Sequence, residues 1–145
     1  MASEANRTFE VEVDAEKMFD VITDFEKYPE FLQSLGLVKV VIDSQEGNTI
    51  VSTTSVKKMG TTVSYTLRYT LDRPRKVTWT LVKGQMMSVN QGTWALEEAG
   101  PGRTRVSYTV EVKFGMLVPK TLIKLMINKE LPTMMDAFKA RAESS

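Results

Sequence analysis

The chain has 145 residues, the usual size of one domain, and nineteen Lys and Arg against eighteen Asp and Glu leave a formal net charge of only +1. Neither sign is gathered into a long block, so the sequence carries no electrostatic signature of nucleic-acid binding. Cys and His are both absent, which excludes disulfides, thiolate or imidazole metal sites and Ser-His-Asp or Cys-His nucleophiles, and leaves carboxylates, Tyr, Lys, Arg or a bound cofactor for any catalysis.

Met1 to Phe9 contains no apolar core of a signal peptide, and no run of about 18 apolar residues occurs anywhere, so a cytoplasmic protein without an integral membrane segment is expected. From Thr8 to Val13 the residues alternate, with Phe9, Val11 and Val13 on one side, the period of a half-buried strand. Asp14 ends it and is placed to cap a helix that begins at Ala15, with Glu16 in the first turn. Met18, Phe19, Ile22 and Phe25 recur at helical spacing. Pro29 disfavours a helical Tyr28, so the chain is expected to break there and make a second short turn through Phe31 and Leu32.

After Gly36 the period changes to two and remains so for most of the chain. Turn signals at Glu46-Gly47-Asn48, Lys58-Met59-Gly60, Asp72-Arg73-Pro74-Arg75, Lys83-Gly84 and Ala99-Gly100-Pro101-Gly102 divide it. They predict strands at about 37–44, 48–57, 61–71, 76–83, 87–97 and 103–113. One apolar face recurs in Val63, Tyr65, Leu67, Tyr69 and Leu71, in Val77, Trp79 and Leu81, in Trp94 and Leu96, and in Val106, Tyr108, Val110 and Val112. Gly115 interrupts the last strand, and Pro119 suits the first turn of a helix to about Ala142 whose apolar stripe is Leu122, Ile123, Met126, Ile127, Leu131, Met134, Met135 and Phe138. Pro132 inside that stripe predicts a kink near Lys129 or a break into two helices. No repeat or linker divides the chain, so a single domain over 1–145 is expected.

A strand, two short helices, six antiparallel strands and a long final helix form an α+β order in which the sheet must cover its apolar face with that helix. The segment Asp24-Phe25-Glu26-Lys27-Tyr28-Pro29-Glu30-Phe31-Leu32 resembles the stretch after the first helix in polyketide cyclase/dehydrase-like and coenzyme Q-binding members of the START-related helix-grip superfamily (SRPBCC). Gly92-Thr93-Trp94-Ala95-Leu96-Glu97 with Gly102-Arg103-Thr104-Arg105-Val106 resembles the penultimate hairpin of that family, and Phe138-Lys139-Ala140-Arg141-Ala142-Glu143 its helix end. The resemblance implies a helix-grip fold, a curved antiparallel sheet of about seven strands wrapped around the C-terminal helix, with a cavity between them. In different members that cavity takes lipids, quinones, polyketides or aromatic hormones, and fold alone does not choose among them.

With the apolar faces turned inward, the cavity wall includes Tyr65, Tyr69, Trp79, Trp94 and Tyr108. Core packing accounts for any one of these rings; the group is what points to a pocket. Nine Met residues are many for this length, and Met86, Met87, Met116, Met126, Met134 and Met135 fall where the helix meets the far end of the sheet, as flexible walls or as core filler. Asn90 shares strand parity with Trp94 and is a buried amide in need of partners, unless a bulge beside Gly92 turns it outward. The expected ligand-binding set is therefore Tyr65, Tyr69, Trp79, Met87, Asn90, Trp94, Tyr108, Met126 and Met134. Asp14, Glu16, Asp20, Asp24 and Glu26 read as caps and solvated charges, and Lys57, Lys58, Arg73, Arg75 and Lys76 as a solvated rim. No metal site, catalytic residue or cofactor is expected.

The leading functional expectation is binding, transport or chaperoning of a hydrophobic small molecule in a cavity of about 300 Å³ or more. The partner is then an apolar ligand and not a nucleic acid. An aromatic polyketide cyclase, with Tyr or Arg polarising carbonyls, is the enzymatic alternative. A protein-interaction role at a ribosome or membrane complex is the third class.

Overall fold

The computed structural model describes residues 3–58 and 60–144; the turn residue Met59 lies outside them. Seven strands form one sheet: β1 (Ser3–Val11), β2 (Leu37–Glu46), β3 (Thr49–Lys58), β4 (Thr61–Asp72), β5 (Lys76–Gly84), β6 (Met87–Gly100) and β7 (Arg103–Phe114). Their order across the sheet is β1-β7-β6-β5-β4-β3-β2. Strands β2 to β7 are thus an antiparallel meander, and β1 closes on its far edge by pairing with β7. That pairing carries β1 back to Ser3, opposite Val112, although residues 3–7 show little alternation of their own. The start expected at Thr8 was late because the partner strand, and not local pattern, defines this edge.

The inner face buries Val11, Leu67, Tyr69, Val77, Trp79, Trp94, Leu96, Val106, Tyr108, Val110 and Val112, the positions that period two assigned to it. Helix α1 (Ala15–Thr23) is capped as its sequence dictates: the Asp14 carboxylate accepts from the Lys17 amide at 2.8 Å. Its Met18, Phe19 and Ile22 are fully buried. Arg73 from the β4–β5 turn lies over the Phe19 ring at 4.5 Å and pairs with Glu16 and Asp20.

A 3₁₀ turn (Phe25–Lys27) leads into the single-turn helix α2 (Tyr28–Phe31). Tyr28 is helical, with φ −52° and ψ −42°, contrary to the break expected before Pro29. Tertiary packing overrides the modest pre-proline preference. The Tyr28 hydroxyl donates to the Ile22 carbonyl, and its ring meets Phe25, Phe31 and Phe138 edge-on.

The C-terminal segment is in three parts: α3 (Lys120–Leu125), a π-helical turn (Met126–Glu130) and α4 (Leu131–Ser144). Pro119 sits just outside α3 in extended geometry, with φ −61° and ψ 140°. The irregularity predicted from Pro132 takes the form of the π turn directly ahead of it, since Pro132 has no N–H to continue the i→i−4 ladder. Leu131, Met135, Phe138 and Ala142 of α4 are buried, whereas no residue of α3 or of the π turn is.

The ladder between β5 and β6 is short, running only over Lys76–Trp79 against Gly92–Ala95. Beyond it β5 continues on β4 alone and β6 on β7 alone, each through an irregularity, at Thr66/Leu67 and at Met87/Val89. The hairpin tip is held from both sides: Gln85 N–H donates to the Ser64 carbonyl at 3.0 Å, and Gly115 N–H donates to the Met86 carbonyl at 2.9 Å.

Gly92 marks the end of that ladder. A Cβ there would stand 2.3 Å from the Thr109 carbonyl oxygen and 2.5 Å from the Trp79 ring, so the indole lies directly on bare backbone. Gly92→Ala is expected to destabilise by about 1–3 kcal/mol and to lower Tm by roughly 3–10 °C, read by circular dichroism melting. An unchanged melt would show that the Trp79 ring does not rest on Gly92.

Candidate functional site

Between the sheet and the C-terminal segment lies a cavity of about 580 Å³. Tyr65 of β4, and Tyr108, Val110 and Val112 of β7, form the sheet wall; Leu32, Leu35 and Leu37 close one side; Leu122, Met126, Ile127, Leu131 and Met134 form the helical wall. The half-burial of α3 and the π turn follows from this, because their inner side chains face space and not a packed partner. Gln85, Met86, Leu117, Val118 and Pro119 edge the mouth.

A deeper recess of about 100 Å³ shares Leu32, Leu37, Tyr65, Asn90, Tyr108 and Met134 with the main cavity. Tyr28, Thr54, Leu67, Tyr69, Trp79, Trp94 and Phe138 complete its wall. The chain holds four Tyr and two Trp in all, and every one of them lines this recess. Their rings lock one another: Trp94 meets Tyr108 at 4.7 Å and Phe138 at 4.9 Å, Trp79 meets Tyr108 at 5.5 Å, and Phe25 meets Tyr69 at 4.3 Å. The recess is rigid and aromatic, and the outer cavity is walled by adaptable Met, Leu and Val.

The polar groups are few. Asn90 faces inward, its Oδ1 accepting from Trp79 Nε1 at 2.9 Å and its Nδ2 standing 3.8 Å from the Met87 sulfur. The local bulge falls at Met87/Val89 and not beside Gly92, so it does not turn this amide out. Burial pushes the Tyr65 phenol up from its ordinary 10.0 to about 12, with Thr54 easing the shift. Burial also raises Tyr108, Tyr69 and Tyr28. All four phenols are therefore neutral at physiological pH. Lys58 and Glu130 span the rim as an ion pair, with Nζ at 2.6 and 2.8 Å from the two carboxylate oxygens and each side chain about one quarter exposed.

Tyr65, Met87, Asn90, Tyr108, Met126 and Met134 line the main cavity, while Tyr69, Trp79 and Trp94 lie only in the recess. Met86 is at the mouth, Met135 is core, and Met116, in the loop that joins β7 to α3, is fully exposed and so is neither wall nor core filler. Lys58 is a bridge from β3 to the π turn and not a solvated rim residue. Nothing in its hairpin context indicated this, because Glu130 is 72 residues away. Tyr28 also lines the recess, and its place in an aromatic run with Phe25 and Phe31 is the sequence signal for it. A separate concavity of about 550 Å³ lies across the outer face near Gly92, lined by groups such as Glu4, Gln91, Thr93 and Glu111. It is open, mixed in polarity, and has no part of the aromatic array except the Trp79 edge. Among the described residues no cluster of three or more carboxylates could hold a metal ion.

Residues 11–139 match the family described as polyketide cyclase/dehydrase and lipid transport proteins. The chain belongs to that family. Its relatives include the ribosome association toxin RatA of Vibrio cholerae, 24% identical over 140 residues that cover 97% of this chain and 95% of the toxin. Among solved structures, the Zhui aromatase/cyclase from Streptomyces sp. R1128 superposes with a TM-score of 0.86 at 16% identity, covering 99% of this chain and 94% of the other. A START superfamily protein from Mycobacterium smegmatis gives 0.82 at 18%, covering 97% of each chain. At such identities the likeness speaks for the fold alone, and it is the α+β helix-grip fold of the START-related superfamily. A seven-strand sheet closes on the C-terminal helical segment. No helix among the described residues is long and apolar enough to cross a membrane.

Proposed function

We propose that this chain binds one hydrophobic small molecule, a lipid, isoprenoid quinone or polyketide, and carries or shields it in the cytoplasm without chemical change. The observation that supports this most is the pairing of an apolar cavity of about 580 Å³ with an aromatic recess at its inner end, space of the size and character that drug-sized ligands occupy. The Asn90 amide and the neutral Tyr65 and Tyr108 hydroxyls, at the junction of the two, suit the polar end of such a molecule, and Met126 and Met134 suit its apolar length. Tyr69, Trp79 and Trp94 would stack on a ring and Met87 would close over it. No arginine is among the described wall residues of either space, so in a cyclase chemistry the polarising of carbonyls would fall to the phenols and the Asn90 amide inside and to the Lys58–Glu130 pair at the rim.

Native mass spectrometry of protein purified from its own host tests the proposal. The expected result is an excess mass of one apolar molecule per chain that solvent extraction releases and identifies. Ligand-free protein that also fails to take up an apolar fluorescent probe would overturn it. The likeness to the Vibrio cholerae toxin over nearly the whole chain favours a second reading, association with the ribosome, for which cosedimentation with ribosomes in a sucrose gradient is the check.

A further inference from the structure

We infer that the mouth of the cavity is a docking surface for an anionic lipid bilayer. Three observations converge there. Met116 and Leu117 are 102% and 88% exposed, in the loop between β7 and α3. The Gly115–Met86 backbone hydrogen bond holds that loop against the β5–β6 hairpin tip, where Met86 is also exposed, and Leu125 of α3 adds a fourth exposed apolar side chain. Met86 and Leu117 line the edge of the cavity and Met116 is next to Leu117 in the chain, so this apolar knob and the opening share one face. Contiguous exposed apolar side chains at a cavity mouth call for a covering partner.

The charges around the knob identify that partner. From Val112 to Lys129 the chain carries Lys113, Lys120, Lys124 and Lys129 and no carboxylate, and the hairpin tip adds Lys83; the carboxylates that bound this stretch, Glu111 and Glu130, are engaged by Gln91 and Lys58. None of these five lysines makes an ion pair among the described residues. At the opposite end of the sheet, by contrast, Arg73, Arg103 and Arg105 all sit against carboxylates. The net charge of +1 conceals this polarity. Unpaired lysines around inserted Met and Leu are what an interface with acidic headgroups and acyl chains requires. RNA is a poorer fit, because the patch has neither arginine nor an exposed aromatic ring on which a base could stack. A second copy is a poorer fit still, since a twofold contact would set lysines against lysines.

Vesicle co-sedimentation of ligand-free protein tests the inference whatever the cavity holds. The wild-type chain is expected to partition onto phosphatidylcholine vesicles containing phosphatidylglycerol, to do so far less onto phosphatidylcholine alone, and to be released by salt. Each lysine near an anionic surface accounts for roughly a five-fold change in partitioning, so Lys120→Glu with Lys124→Glu should lower it by more than ten-fold. Met116→Asp, which removes the most exposed apolar side chain, should lower it comparably while melts and probe affinity stay at wild-type values. Wild type that ignores anionic vesicles, or variants that partition as wild type does, would overturn the inference. So would a dimer that Met116→Asp dissolves, or RNA retention lost with the lysines in a chain that binds no vesicles.

Discussion

Phe138→Ala should be the most destabilising single truncation in the C-terminal helix, at about 3–5 kcal/mol. The ring is 1% exposed and is the point where three layers meet: Tyr28 and Phe31 of α2 at 5.2 and 5.1 Å, and Trp94 of the sheet at 4.9 Å, all nearly edge-on. Edge-to-face geometry adds to area burial in such clusters. The surrounding rings are themselves locked by one another, so the void cannot collapse and most of the cavity penalty remains. Urea unfolding of wild type and variant measures the difference. A loss below about 1 kcal/mol would mean that α4 is not anchored to the sheet through this residue.

Met126→Trp should instead spare the fold and impair occupancy. Met126 projects into the main cavity from the π turn and is only partly buried, so an indole there takes up ligand space more than it displaces packed neighbours. Overpacking of about 1–3 kcal/mol, mild for this position, sets the stability change. Affinity for an apolar fluorescent probe is expected to fall about ten-fold or more, the equivalent of at least about 1.4 kcal/mol. The measurement is a probe titration with thermal melts alongside. Unchanged affinity in a folded Met126→Trp chain would remove the π turn from the ligand-contacting wall.

Period two was legible where a strand has one wet and one buried face, and that contrast is written into alternate residues through much of β4, β5, β6 and β7; β2, with two register shifts and Val40 as its one buried residue, carries little of it. The Asp14 cap was legible for a similar reason, since a local hydrogen bond needs only local residues. Non-local matters were not: the extent of β1 is set by β7, the helical Tyr28 by Phe138, and the role of Lys58 by Glu130. The shortened β5–β6 ladder belongs to the same class. A tight hairpin from Lys76 to Ala95 looks regular in sequence, and its opening depends on how β4 and β7 draw the two strands apart. Pro132 announced an irregular helix, a kink near Lys129 or a break into two, but that the release would be a π turn over Met126–Glu130 was not written in the local sequence. For the site, strand parity placed the aromatic wall, whereas the division into rigid recess and pliant outer cavity required the ring-to-ring geometry.

The gathering of all four tyrosines and both tryptophans around one recess makes the chain its own optical instrument. In most proteins the near-ultraviolet signal averages scattered surface and core chromophores, and a change at one site is diluted by the rest. Here Tyr69 lies 6.2 Å from Trp79, and Tyr108 lies 5.5 Å from Trp79 and 4.7 Å from Trp94, so excitation absorbed in the array drains to two indoles on the same wall. Whatever enters the recess meets every strong chromophore the molecule possesses, and emission, near-ultraviolet dichroism and absorbance would all report one event without a label.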